Sequence, residues 1–287
     1  QEGLLAGLPE GPFIFAFDGV VPTRLSESMV GLSASMMKSM TMAPGADSEL
    51  TEEEVQKLTD IMKKSMEGVR SIGMVMGVGK PGDSLYANTA GLLRVEDSQK
   101  YLANYQTVMD EMNSILKNSK NQLLKPYEIE QVKIGDVAAL RITTDMSGVL
   151  AGANGNNDPN AQRMMEMMVG KDGKLDAYVA PAGKTAVAMA YSESELQQVL
   201  DLATSDSSGL ADNPDVQSTA ALLPSGAQWV GYFSPSGMVS MTQQMMAAMG
   251  PQGAAIPLPA FGKTPPIGFA AKAVPAGLAT HLVLPAP

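Results

Sequence analysis

Residues 8–17, Leu-Pro-Glu-Gly-Pro-Phe-Ile-Phe-Ala-Phe, give the strongest indication of the fold. The run from Phe13 to Phe17 is short, apolar and bounded by Gly-Pro and Asp-Gly pairs, which is typical of a buried strand. The same pattern returns in residues 223–232, Leu-Pro-Ser-Gly-Ala-Gln-Trp-Val-Gly-Tyr. After each copy, a proline (Pro22 or Pro235) begins a predicted helix that is rich in methionine. These matches predict two related halves.

The resemblance between the halves extends along the chain. An Ile-Gly strand follows each helix, at residues 71–74 and 266–269, and the strand-to-helix steps at 93–105 and 188–200 also match. The alternative is that any chain of alternating strands and helices resembles itself by chance. We expect an N-terminal half over 1–147, a Gly- and Asn-rich loop with a short Met-rich helix over 148–170, and a C-terminal half over 171–287. The halves could form one continuous domain.

Turn and capping signals divide the rest of the chain into hairpins and helices. Hairpins are predicted at 71–95, 127–144 and 175–191, and helix N-caps at Thr51, Asp97, Ser192 and Asn213. The fold class that follows is α+β, with mixed, mostly antiparallel sheet or sheets and amphipathic helices packed on one face. Trp229 is expected in the core, and His281 is expected at an edge or packed against neighbours.

The composition excludes most reactive chemistry. The 287 residues contain no cysteine and one histidine, His281, so thiol catalysis, zinc-thiolate sites and histidine relays lack their side chains. The net charge of −10 disfavours nucleic acid and anionic membranes as partners. No catalytic residue, resident metal or cofactor is predicted.

Several features favour an exported protein. The chain begins at Gln1 rather than methionine, as a mature chain does after removal of a signal peptide, and cysteine is avoided. No apolar run reaches the roughly 18 residues that span a bilayer. We therefore expect a periplasmic or extracellular location and no transmembrane anchor.

Three short motifs resemble functional signatures but lack their context. Residues 77–82 fit G-x-G-x-x-G. A nucleotide site needs a helix after this motif, but the sequence that follows has the two-residue periodicity of a strand, so a hairpin turn is predicted. Ser35 and Lys38 fit S-x-x-K without its companion motifs. Asn154, Asn156 and Asp158 alternate like calcium ligands, but Pro159 stands where glycine is required, so a polar loop is expected.

Methionine is the unusual feature of the composition, at 22 residues. Thioethers suit soft ions such as Cu(I), and flexible methionines can also line a groove for apolar cargo or fill a core. Met37, Met167 and Met246 lie off the main apolar stripes of their predicted helices. The surroundings of these three residues therefore discriminate between the alternatives. The candidate binding residues are the clustered methionines Met36, Met37, Met40, Met164, Met167, Met168, Met245, Met246 and Met249.

These observations favour a non-enzymatic, exported binding or interaction protein that uses Met-rich apolar helix faces. Its partner is expected to be a protein or an apolar small molecule. One alternative is a soft-metal protein that binds a Cu(I)-type ion. A second is a hydrolase that depends on carboxylates, because catalysis without histidine or cysteine is possible although less common.

Overall fold

The computed structural model describes residues 3–22, 52–80, 84–118, 125–147, 166–167, 170, 173–205, 207–248, 264–275 and 277–285. Its helices are α1 (Glu52–Ser65), α2 (Ser98–Asn118), α3 (Glu193–Thr204), α4 (Pro214–Ala220) and α5 (Pro235–Ala248), with a short 3-10 turn at Leu210–Asp212. The strands are β1 (Phe13–Val20), β2 (Val69–Gly77), β3 (Thr89–Val95), β4 (Glu128–Ile134), β5 (Val137–Asp145), β6 (Lys174–Pro181), β7 (Ala186–Ala190), β8 (Trp229–Phe233), β9 (Ile267–Val274) and β10 (Gly277–Val283).

All ten strands join one sheet, in the order β10-β9-β8-β1-β2-β3-β7-β6-β5-β4. Every ladder between neighbours is antiparallel. The predicted α+β class is therefore confirmed. Strands that precede residues 148–170 in the chain (β1–β5) and strands that follow them (β6–β10) belong to the same sheet. The two sets pair directly, β3 with β7 and β1 with β8.

Three groups of consecutive strands form meanders within this sheet, namely β1-β2-β3, β5-β6-β7 and β8-β9-β10. In each group the first connection is long, over 21–68, 146–173 and 234–266, and the second is shorter, over 78–88, 182–185 and 275–276. The three methionine clusters lie in the three long connections. The topology thus gives the clusters equivalent positions along the chain.

Helices pack on both faces of the sheet, so the prediction that they cover one face is wrong. Leu92 belongs to a core cluster with Leu196 of α3 and Val216 of α4, which we call the first face. The next residue, Leu93, belongs to a second cluster with Tyr101 of α2, on the second face. Adjacent residues of a strand point to opposite faces, and here both are apolar, so both faces need cover.

Of the four predicted N-cap residues, Asp97, Ser192 and Asn213 act as expected, and Thr51 lies outside the described residues. Lys100 donates its backbone N–H to the Asp97 carboxylate over 2.9 Å, and Glu195 donates to the Ser192 hydroxyl over 3.4 Å. The Asn213 side chain accepts from two backbone N–H groups of α4. One boundary differs, because β3 begins at Thr89 and residues 85–88 form turns. The helices predicted from Pro22 and Asp158-Pro159 fall outside the described residues.

Candidate functional site: an apolar sheet face and its open edge

One half of the second face is apolar and partly open. We call it the apolar sheet face, and it spans β10, β9, β8, β1 and β2. Its large side chains are all half-buried or exposed: Phe15, Phe17, Met74, Trp229, Phe269, Leu278 and Leu282. The exposed fraction increases toward the end of the sheet, from 37% at Phe15 to 39% at Phe269 and 65% at Leu282.

The strand register brings these side chains into rows. Leu282 lies opposite Phe269, Phe269 opposite Gly231, Gly231 opposite Phe17, and Phe17 opposite Met74. Residues directly opposite each other on antiparallel strands project from the same face. Five strands therefore contribute one continuous apolar row, which no single stretch of sequence contains.

Trp229 lies in the next row, beside Gly19, and it is half-buried rather than in the core as predicted. A Cβ added at Gly19 would lie 2.0 Å from the Trp229 ring, so the ring occupies the space above that glycine. A side chain at residue 19 would therefore displace the indole. The chain's single tryptophan therefore forms part of the apolar sheet face.

Strand β10 forms one edge of the sheet and is open. Among the described strands β9 is its one neighbour, so one side of the strand has no ladder partner. Its sequence, Gly-Leu-Ala-Thr-His-Leu-Val, contains no acidic residue, lysine or arginine. Exposed edges of this kind can accept a further strand, because their N–H and C=O groups are unpaired. His281 is exposed on this strand, as the prediction of an edge histidine requires.

The candidate methionines are only partly within the described residues. Met36, Met37, Met40, Met164, Met168 and Met249 lie outside them, whereas Met167, Met245 and Met246 are half-buried. The Met167 carbonyl accepts the Leu85 N–H over 2.8 Å, and Gln244 of α5 donates its side-chain amide to the Gly79 carbonyl. Two of the three Met-rich connections thus contact the β2–β3 connection.

A buried carboxyl group lies on the first face, behind the apolar sheet face. Asp18 is 1% exposed, and its Oδ2 accepts the Leu5 backbone N–H over 2.8 Å. Burial raises the pKa of Asp18. Arg94 donates to the Gly3 and Ala6 carbonyls over 2.7 and 3.1 Å. These two side chains fix residues 3–8 against the sheet, and we assign them a structural role.

Two grooves of the described surface contain charged side chains. One, of about 400 Å³, lies between α1 and α2 and contains Lys64 and Glu111, whose charged groups are 2.7 Å apart. Another, of about 580 Å³, is lined by residues that include Arg70, Arg94 and Ser208. Within the described ranges, no three histidine, aspartate or glutamate side chains cluster as metal ligands. Burial raises the pKa of Glu195 as well as that of Asp18, but these carboxyl groups lie on different elements, α3 and β1.

Comparison with known proteins gives no relative: no family model, curated protein or solved structure matches the chain. None of the described helices combines the length and apolar character needed to cross a bilayer. Of the three motifs, residues 77–82 begin at the last residue of β2, and residues 78–80 lie in the connection to the antiparallel strand β3, which confirms the hairpin interpretation. The other two motifs lie outside the described residues.

Sequence reasoning missed the apolar sheet face because it assigned alternating apolar strand residues to the core. Two signals could have indicated the surface. Glycines at residues 19 and 231 alternate with aromatic residues along their strands, and β10 lacks the charges typical of a solvent-exposed strand.

Proposed function

We propose that this chain is a non-enzymatic binding protein that accepts an extended, uncharged strand of a partner polypeptide at β10. In this proposal the partner's apolar side chains pack beside Leu278 and Leu282, where the apolar sheet face begins. The proposed location is periplasmic or extracellular, supported by the absence of cysteine from all 287 residues.

The observation that carries the proposal is the continuity between the open edge and the apolar row. Leu278 and Leu282 are 59% and 65% exposed and stand on one side of β10. The row continues from Leu282 to Phe269, without a charged side chain as far as Met74. A bound strand would form backbone hydrogen bonds with the edge and side-chain contacts with the leucines. In strand addition, the backbone bonds usually provide affinity and the side-chain contacts provide specificity.

The chemistry of the described residues supports binding rather than catalysis. Among the described residues, the two carboxyl groups with raised pKa values lie on different elements, β1 and α3, and the Asp18 carboxylate already accepts a backbone hydrogen bond. A general acid and base must both reach one substrate to act together. The carboxylate-dependent hydrolase therefore has less support than the binding protein.

Fluorescence anisotropy of a labelled peptide tests the proposal. The probe is a capped heptapeptide of alternating valine and threonine, which resembles β10 in length and charge. We expect saturable binding in the micromolar range, because one added strand makes a small interface. A probe in which lysine replaces valine should not bind. If the uncharged probe does not bind, the proposal is wrong.

A matched pair of variants locates the binding. Leu282→Lys places a charge on the edge, whereas Leu222→Lys places the same charge at an equally exposed leucine outside the sheet, at 64%. We expect the first substitution to weaken binding at least tenfold and the second to leave it unchanged. Equal effects of both substitutions would contradict the assignment to β10.

The Cu(I) alternative is supported by one specific observation: Met167 and the Met-rich helix α5 each contact the β2–β3 connection, at Leu85 and Gly79 respectively. If a soft-metal site lies there, replacing Met167 and Met246 by leucine should weaken Cu(I) binding at least tenfold in a competitive titration. Leucine preserves the apolar volume but removes the sulfur ligand. Unchanged Cu(I) affinity would exclude this site.

The proposal includes internal repetition of a unit that consists of a strand, a long connection and a hairpin. The sequence echo between residues 8–17 and 223–232 corresponds to β1 and β8, and that between 93–105 and 188–200 includes β3 and β7. Each pair is adjacent and antiparallel in the sheet. The strand order therefore supports three related units rather than two halves, with Met-rich connections in equivalent places.

A further inference from the structure

We infer that the partner strand at β10 is β10 of a second copy of this chain, paired antiparallel about a two-fold axis at Thr280. This inference rests on the proposed function, because both use the open edge of β10. It identifies one occupant and one register.

The sequence of β10 is self-complementary about Thr280. In an antiparallel pair centred there, Leu278 lies opposite Leu282 of the second copy, and Ala279 lies opposite His281. Moving the centre by one residue, to Ala279 or His281, places Thr280 opposite a leucine instead. Cross-strand pairs of apolar side chains stabilise a sheet, so the register at Thr280 is favoured.

The exposed leucines give this pairing its driving force. Leu278 and Leu282 are 59% and 65% exposed in the single chain, and both project from the apolar sheet face. A two-fold axis perpendicular to the sheet keeps the same face of both copies on one side. Four leucines therefore come together, and the two apolar sheet faces become continuous.

The charges near β10 permit two copies to approach. The chain has a net charge of −10, so two copies repel at long range. Along β10 and its neighbour β9, however, the one formally charged side chain is Lys272, which is positive. At the opposite edge, β4 carries Glu128, Glu130 and Lys133, so like charges would approach in a symmetric β4 pair. Symmetric pairing is therefore expected at β10.

Single-cysteine cross-linking tests both the dimer and its register, because the chain has no cysteine of its own. In the proposed dimer the Cα atoms of the two Thr280 residues are roughly 4.5–5.5 Å apart, within the range of a disulfide. The two copies of Ala279, or of His281, are about 8 Å apart, which is too far. Diamide oxidation should therefore cross-link Thr280→Cys at least tenfold more than Ala279→Cys or His281→Cys.

Two controls separate specific pairing from random collision. Leu222→Cys, at an exposed residue outside the sheet, should cross-link no more than Ala279→Cys. Adding Leu282→Lys to Thr280→Cys should remove the cross-link, while circular dichroism shows that the fold is retained. The unmodified chain should increase in mean mass toward a dimer between about 1 and 100 μM in sedimentation, since an interface this small is weak.

The outcomes distinguish this inference from the proposed function. Preferential cross-linking of Thr280→Cys together with a concentration-dependent dimer supports the inference. A chain that stays monomeric and shows no preference for Thr280→Cys, yet binds the valine-threonine probe, overturns the second copy as partner and leaves the proposed function standing. Loss of both cross-linking and probe binding overturns both. Preference for Ala279→Cys or His281→Cys overturns the register.

Discussion

Strands β10 and β4 are the two edge strands of one sheet, and they differ in charge. Strand β4 carries Glu128, Glu130 and Lys133 along seven residues, whereas β10 carries no acidic residue, lysine or arginine along an equal length. Charged side chains on an edge strand discourage the addition of another strand. The comparison indicates that β4 is protected against strand addition and that β10 is not.

The two sides of the sheet also differ in the cover over the second face. On the β4 side, α2 lies over it, and α1 packs against α2, with an ion pair between Lys64 and Glu111. Tyr101 of α2 packs there against Val95 and Val187 and is 7% exposed. On the β10 side, Phe269 is 39% exposed. Apolar residues stabilise the core on one side and form a partly open surface on the other.

The largest expected effect is a difference in stability between two variants, each of which removes one aromatic side chain from one side of the sheet. Tyr101→Ala should destabilise the protein by about 3–4 kcal/mol, because it leaves a cavity beneath α2. Phe269→Ala should cost about 1 kcal/mol, because its ring is already partly in water. Urea unfolding of both variants measures the difference. Similar losses would contradict the assignment of Phe269 to an open surface.

The second effect concerns binding at the uncharged edge. Leu282→Lys should weaken association with the valine-threonine probe at least tenfold, which corresponds to about 1.4 kcal/mol. Stability should change by less than about 1 kcal/mol, since the side chain is mainly in solvent. Anisotropy and urea unfolding of the same preparation separate the two quantities. A variant that retains binding would show that β10 does not accept the strand.

The third prediction removes the protection of β4. The triple variant Glu128→Thr, Glu130→Thr and Lys133→Thr should form assemblies larger than a dimer, because both edges would then accept strands. The ion pairs it loses, to Lys174 and Arg141, are exposed and contribute little stability. Light scattering measures the assembly.

A control for that variant neutralises three exposed charges on α1, with Glu53→Gln, Asp60→Asn and Lys63→Gln. It changes the net charge by the same amount but leaves both edges as they are. If the control assembles as the triple variant does, net charge rather than edge protection determines association.

The smallest expected effects are pH-dependent changes in stability. They have opposite signs for a carboxyl group on the β4 side of the sheet and one on the β10 side. On the β4 side, the hydrogen bond from Lys125, 2.7 Å from the Asp145 carboxylate, lowers the pKa of Asp145. The stabilisation that ionised Asp145 contributes to the fold is therefore present above the pKa of this group in the unfolded chain. It is lost as the pH falls through the pKa of Asp145 in the folded protein. Asp145→Asn should cost up to about 1 kcal/mol at pH 7. The cost should decrease progressively as the solution is acidified below about pH 4.

On the β10 side, burial raises the pKa of Asp18, so ionisation of this group opposes folding. Relative to wild type, Asp18→Asn should become more stable as the pH rises through the folded pKa. The gain should be roughly 2–4 °C in Tm at neutral pH, as about 1 kcal/mol gives in a domain of this size, and it should disappear in acid. Thermal unfolding across pH measures this, and a variant that is less stable at every pH would contradict it.

Local features of the fold were predictable from sequence, whereas the arrangement of the faces was not. Asp97, Ser192 and Asn213 cap helices because their side chains bond to backbone groups only two or three residues away. The apolar row from Leu282 to Met74 requires the order of five strands, which depends on contacts between residues distant in sequence. The clustered methionines were visible in the sequence, but their equivalent positions in three meanders follow only from the strand order.

Hydrogen exchange at the two edges tests the central claim most directly. Amide exchange of residues 277–283 and 128–134 is measured by mass spectrometry, at a low protein concentration, with and without the valine-threonine probe. We expect the probe to slow exchange in β10 and to leave β4 unchanged. Protection of β4, or of neither strand, would contradict the account.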